Sequence, residues 1–164
     1  DQAKTFIYAF LYGAGPAKIG KVVGGDAKQG QILVNRFLTN MPALKSLRNK
    51  VQEAGEQGYI KGLDGRVFQV RSPHSALNTL LQGAGAIVCK QWLVSMISMI
   101  RDSGIDAKLV ASIHDEYQFE VKSTDVSKFG QITKEAMTKT QKELDVHCQL
   151  DSEWKQGLTW AETH

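Results

Sequence analysis

Residues 1–13, DQAKTFIYAFLYG, put Ala3, Phe6 and Phe10 on one side at helical spacing and Lys4, Tyr8, Leu11 and Tyr12 on the other. That period predicts a helix, ended by Gly13, Gly15 and Pro16. A short segment, 18–23, leads to Gly24 and Gly25. A second helix is expected over 26–39 with Ile32, Leu33 and Phe37 inward, and a third over 42–54, with Pro42 in its first turn and Gly55 and Gly58 closing it. The pattern then changes to a hairpin: 58–61, a turn at Gly62, Leu63, Asp64 and Gly65, and 66–70. Ser72 before Pro73 reads as an N-cap and an N1 proline opening a long apolar helix to about Asp102. Gly83 and Gly85 inside it cost stability and imply close packing or close approach by a partner. KLVASI at 108–113 and YQFEV at 117–121 read as strands. Residues 124–144 read as an amphipathic helix capped by Ser123 or Thr124, and 146–150 as a short strand before a loose tail with Trp154 and Trp160. Three helices followed by mixed elements predict an α/β fold of the α+β kind. A boundary near Gly58 would divide the chain into 1–57 and 58–164.

Composition changes this picture little. The 164 residues are 42% hydrophobic and 23% charged, with a net charge of +3, which excludes a disordered chain and allows a sizeable core. Two cysteines, Cys89 and Cys148, are too few for a disulfide framework, and reduced thiols in a cytoplasmic setting are the expectation. No apolar run suggests a membrane span, and no membrane partner is expected. The chain opens at Asp1 on a helical pattern, as expected for a piece of something longer. Charge is uneven: residues 1–100 carry 12 Lys+Arg and 5 Asp+Glu, and residues 101–164 carry 8 and 12. A basic first part suits an anionic partner and an acidic second part suits a cation, although solvated faces give the same imbalance.

Three constellations could carry chemistry. His114, Asp115 and Glu116 lie between two strands, and adjacent carboxylates repel unless a cation is present. If strand alternation persists through the turn, the two side chains aim apart, which makes one a metal ligand and the other an accessory. On the turn alone, a polar hairpin loop is the simpler reading. Lys4, Tyr8 and Tyr12, at i, i+4 and i+8, share a helix face that suits a triphosphate and a stacked base; an ordinary amphipathic helix is the alternative. His74, Asn78 and Gln82 make a polar seam on an apolar helix, with Arg66 and Arg71 upstream. Its amides suit minor-groove acceptors or a template backbone, and equally a solvent stripe. The histidines have no zinc spacing, and neither a Walker loop nor GxGxxG nor GxSxG occurs.

In this order, KTFIYAFLYGAG at 4–15, GLDGR at 62–66 with RSPHSALNTLLQGAGA at 71–86, and SIHDEYQFEV at 112–121 resemble the C-terminal part of family A DNA polymerases, in wording closest to the phage branch. The resemblance implies helical fingers, 1–57, followed by part of an antiparallel palm sheet packed on a long helix, 58–164. It implies that Lys4 contacts the incoming triphosphate, Tyr8 its sugar and base, and Tyr12 and Gly13 the pocket near the templating base. Asn78 and Gln82 would hold the primer–template minor groove, supported by Arg66, Arg71 and His74. Asp115 would bind two Mg²⁺ ions, with Glu116 an outer carboxylate and His114 near the primer terminus; His164 matches a family habit of ending in histidine near the active site. The implied partners are primer–template DNA, dNTPs and the rest of the polymerase polypeptide. The implied setting is the cytoplasm of a bacterial or phage-infected cell.

Two departures qualify the resemblance. The first carboxylate motif of the family, which holds the other essential aspartate, is absent, so the second Mg²⁺ requires an aspartate outside this chain. The arginine expected four residues before Lys4 is missing too. A single-subunit RNA polymerase shares the Lys…Tyr-Gly helix but follows His-Asp with Ser, so Glu116 and the aromatic Tyr8 argue against it. A non-catalytic nucleic-acid-binding remnant is the other alternative.

Overall fold

The computed structural model describes residues 2–163. Four helices open the chain: α1 (Gln2–Leu11), α2 (Pro16–Val22), α3 (Ala27–Asn40) and α4 (Pro42–Gly55). A hairpin follows, β1 (Tyr59–Lys61) paired antiparallel with β2 (Val67–Gln69), then a 3₁₀ turn (Pro73–Ser75) and the long helix α5 (Ala76–Ser103). A second antiparallel pair, β3 (Ala107–Ile113) and β4 (Glu116–Val121), precedes α6 (Val126–Glu143) and the short α7 (Trp160–Thr163). The chain divides into two compact units, one ending at Gly83 and the other beginning at Ala84, inside α5. Helices with two small antiparallel sheets make this the expected α+β fold.

In the first unit, Phe6 and Phe10 of α1 are buried with Ile19, Val34, Leu38 and Leu77. Phe37 meets both phenylalanine rings edge-on, each at 5.2 Å. Segment 18–23 falls largely within a helix, α2, which the sequence left without a type because two lysines and Gly20 break its apolar period. That glycine is a contact point. A Cβ on Gly30 would meet the Pro16 carbonyl oxygen at 2.1 Å and the Gly20 nitrogen at 2.6 Å, so α2 and α3 cross backbone to backbone. The inward stripe of α3 is therefore Gly30, Val34 and Leu38. Ile32, expected inward, is 58% exposed, because it sits about 200° around the helix from Gly30. Leu11, expected beside the tyrosines, packs partly on the core. Gly30→Ala is expected to cost about 3 kcal/mol or more, outweighing the roughly 1 kcal/mol of helix propensity that Ala regains, because no side chain can move aside. A thermal midpoint lowered by less than about 3 °C on circular dichroism would contradict this contact.

A second cluster in the first unit joins α4 and the hairpin to the start of α5 through Val51, Ile60, Val70 and Ala76. Phe68 of β2 lies against Gly83, where a Cβ would come within 2.5 Å of its ring, which accounts for a glycine inside a long helix. Ser72 does not cap with its hydroxyl; its carbonyl accepts from the Ser75 N–H and hydroxyl instead. Pro73–Ser103 contains an 18-residue window of mean hydropathy 1.4 and is long and apolar enough to cross a membrane by length and composition. That corrects the sequence reading that no such run exists.

In the second unit, Trp92, Met96 and Ile100 of α5 pack with Ile132, Ala136 and Met137 of α6, with Tyr117 and Phe119 of β4 against them. The buried Trp92 indole donates to the Thr133 carbonyl at 2.9 Å. Neither Ser123 nor Thr124 caps α6. The N-cap is Asp125, whose carboxylate accepts from the Asp106 N–H at 3.0 Å and ties the helix start to β3. That bond is the main cause holding the Asp125 carboxyl below its usual 3.8, against the upward pull of burial and with help from Thr124, Lys122 and Lys128. A depressed carboxyl stabilises the fold above its unfolded pKa and loses that stabilisation as pH falls through the folded value. The stability gap between wild type and Asp125→Asn should therefore be full at neutral pH and vanish by about pH 2, measured by urea unfolding.

Residues 146–150 form no strand. The Leu150 N–H is satisfied by the Gln141 side chain at 2.8 Å rather than by a ladder. The tail returns over α6, where Trp154 lies against Gly130.

Candidate functional site

α1 turns its phenylalanines into the core, which leaves Lys4, Tyr8 and Tyr12 exposed together on the outer face. The two tyrosine rings stack at 6.4 Å with 29° between planes. Gly13 follows with φ +76, and a Cβ there would approach the His74 carbonyl oxygen at 3.1 Å. The end of the ladder thus abuts the start of the polar seam. Along the seam His74 and Gln82 are exposed and Asn78 is half-buried, a row open to a partner. Arg71 is exposed. Arg66 is held by its own turn: its guanidinium lies 2.6 Å from Asp64, which lowers the Asp64 pKa and raises its own.

The His114, Asp115 and Glu116 segment belongs to the second unit. Ile113 pairs with Glu116, so His114 and Asp115 alone form the turn, and Glu116 opens β4 rather than lying in the loop. His114 adopts φ 53, a left-handed conformation at a non-glycine residue. Asp115 is exposed at the tip. Behind it stands Cys89 of α5, whose thiol pKa is raised first by burial and then by the Asp115 charge; Tyr117 is raised by burial and then by Cys89. Glu116 is half-buried and accepts a hydrogen bond from the Gln118 amide. Asp115, Glu116, Glu120 and Glu153 line one open cleft of about 930 Å³ in this unit.

Hard carboxylate oxygens suit Mg²⁺ better than a soft metal. Among the described residues, however, no three His, Cys, Asp or Glu side chains gather as a metal site. Asp115 and Glu116 supply hard oxygen donors but do not by themselves complete a metal site. His164 lies outside the described residues. The sequence did not single out Cys89 or Gln118. For Gln118 the available signal was strand alternation, which sets it on the face of Glu116.

A helical unit with a hairpin packed on a long helix, and a unit carrying the His-Asp turn between paired strands, make up the α+β chain, and residues 1–162 match the family model for DNA polymerase family A. The chain belongs to that family. It is 42% identical to a DNA-directed DNA polymerase of Enterobacteria phage T3 and 41% identical to one of Escherichia phage T7, each match covering 100% of this chain and 26% of the relative. It is 26% identical to DNA polymerase I of Bacillus subtilis, over 97% of this chain and 19% of that one. Among solved structures it resembles the POL domain of Pol1 from M. smegmatis in complex with DNA primer-template and dNTP. That match has a TM-score of 0.77 at 18% identity and covers 85% of this chain and 27% of the other. The chain spans about a quarter of the length of the phage relatives.

Proposed function

We propose that this chain is the fingers-to-palm C-terminal portion of a template-directed DNA polymerase, with fingers over 1–57 and palm over 58–164. In the proposed reaction the primer 3′-oxygen attacks the α-phosphorus of a dNTP, the new phosphodiester bond forms, and the bond to pyrophosphate breaks. The observation that carries the reading is Asp115 at the tip of a two-residue turn, with Glu116 beginning the strand beside it and both facing one cleft. Bound Mg²⁺ ions would supply activation of the attacking oxygen and charge compensation at the leaving one. Asp115 would hold them together with an aspartate outside this chain, and Glu116 is the outer carboxylate. His114 lies at the primer terminus.

The exposed face of α1 takes the nucleotide: Lys4 meets the triphosphate, Tyr8 the sugar and base, and Tyr12 and Gly13 the side near the templating base. Asn78 and Gln82 read minor-groove acceptors present in every base pair, which suits an enzyme that must hold any sequence. Arg66, Arg71 and His74 support the backbone. The proposed setting is the cytoplasm of a bacterial or phage-infected cell, a reading supported by the phage and bacterial sources of the relatives.

The test is a chimera in which this chain replaces the matching segment of the phage T7 polymerase. Template-directed extension by the chimera is the expected result, with none from the 164 residues alone. A chimera that folds and binds primer–template but does not extend it would favour the binding-only reading.

A further inference from the structure

Glu116 and Gln118 stand on the same face of β4, opposite to Tyr117 and Phe119, which anchor the strand in the core of the second unit. The Gln118 amide is used at both ends. Its Nε2 donates to Glu116 Oε1, and its Oε1 accepts from the Thr163 hydroxyl at 3.4 Å. These two contacts fix the amide orientation, since a flipped amide would set oxygen against the Glu116 carboxylate. Thr163 belongs to α7, and its single hydroxyl proton is shared with the Trp160 carbonyl at 3.0 Å. A relay of hydrogen bonds thus runs from the C-terminal helix to a carboxylate of the cleft.

We propose that Gln118 is a positioning residue for Glu116, holding its carboxylate in one orientation, and that Thr163 secures Gln118 from α7. A glutamate side chain has three rotatable bonds, and a charge-assisted donor on one oxygen selects among its rotamers. Such outer partners of a metal-side carboxylate commonly govern metal affinity. The Thr163 end is the weaker, because its bond is longer and its proton is shared. The inference rests on the reading of Glu116 as a carboxylate at the metal site.

The test uses the full-length chimeric polymerase with primer–template bound and follows Mn²⁺ binding by electron paramagnetic resonance, beside kcat and the KM for primer–template. Gln118→Met, equal in length but without the amide, should weaken Mn²⁺ binding roughly tenfold, leaving KM and the thermal midpoint in place. Thr163→Val should weaken it about two- to threefold, consistent with the looser bond, and serves if the Gln118 variant folds poorly. In a Glu116→Ala background, Gln118→Met should add nothing further. An undiminished Gln118 effect in that background, or unchanged Mn²⁺ affinity in Gln118→Met where Glu116→Ala weakens it, would overturn the proposal. If Glu116→Ala itself leaves Mn²⁺ binding unchanged, the reading of Glu116 fails first and takes this inference with it.

Discussion

Replacing Asp115 by alanine in the intact polymerase is expected to abolish primer extension while primer–template binding survives. Asp115 sits at the turn tip, exposed, on a backbone that two paired strands and the left-handed His114 hold in place. On the proposed reading Asp115 is shared by two cations, and no neighbouring group replaces the charge it would compensate. Its loss should cost about 4 kcal/mol of transition-state stabilisation, or roughly three decades in rate. On the same reading, duplex binding falls to Asn78, Gln82 and the arginines, so it should survive the loss of Asp115. Glu116→Ala should be milder, about one to two decades, since Glu116 stands one residue on along the strand and bonds to Gln118. Single-turnover extension with Mg²⁺ in excess separates the two, and a heavier loss at Glu116 than at Asp115 would exchange their roles.

Tyr8→Phe in the same enzyme is expected to make it reject dideoxynucleotides by about a hundredfold, the equivalent of roughly 2.7 kcal/mol. The Tyr8 ring is 51% exposed and braced by Tyr12, so its phenol points outward from the helix rather than into the core. In a nucleotide pocket closed by the incoming substrate, an unpaired polar group costs roughly 1–3 kcal/mol. A normal dNTP brings a 3′-hydroxyl that organises hydrogen bonds around the triphosphate. A dideoxynucleotide lacks it, and the tyrosine oxygen can take its place where phenylalanine cannot. The ratio of kcat/KM for the two substrates, in both enzymes, is the measurement. An unchanged ratio would mean that Tyr8 does not face the sugar and would weaken the roles given to Lys4 and Tyr12.

What the sequence made legible follows from the range of the interactions involved. Phe6 and Phe10 repeat at helical spacing, Asp64-Gly65 is a local turn, and the two strands around His114 alternate. Each is written within a few residues. Family A also leaves three ordered motifs, which located the candidate residues before any geometry. The misses depend on distant partners. Ile32 faces solvent because Gly30 must meet Gly20, a contact between two helices. The start of α6 falls at Asp125 because its carboxylate accepts from the Asp106 N–H, 19 residues away. Segment 146–150 is irregular because Gln141 supplies the acceptor that a strand would have provided. Gln118 has one local partner, Glu116, that strand alternation makes legible, and one distant partner, Thr163, 45 residues away, that it does not.

The left-handed backbone at His114 has a consequence for directed evolution. A non-glycine residue in that region costs of order 1–2 kcal/mol relative to glycine. A selection for thermal tolerance alone would therefore enrich glycine at 114. The same change would remove the imidazole and loosen the tip that carries Asp115. Given the role proposed for His114, survivors of such a selection would be hardier proteins and poorer catalysts, so heat challenge and catalytic screening applied in alternation should retain histidine where heat challenge alone discards it.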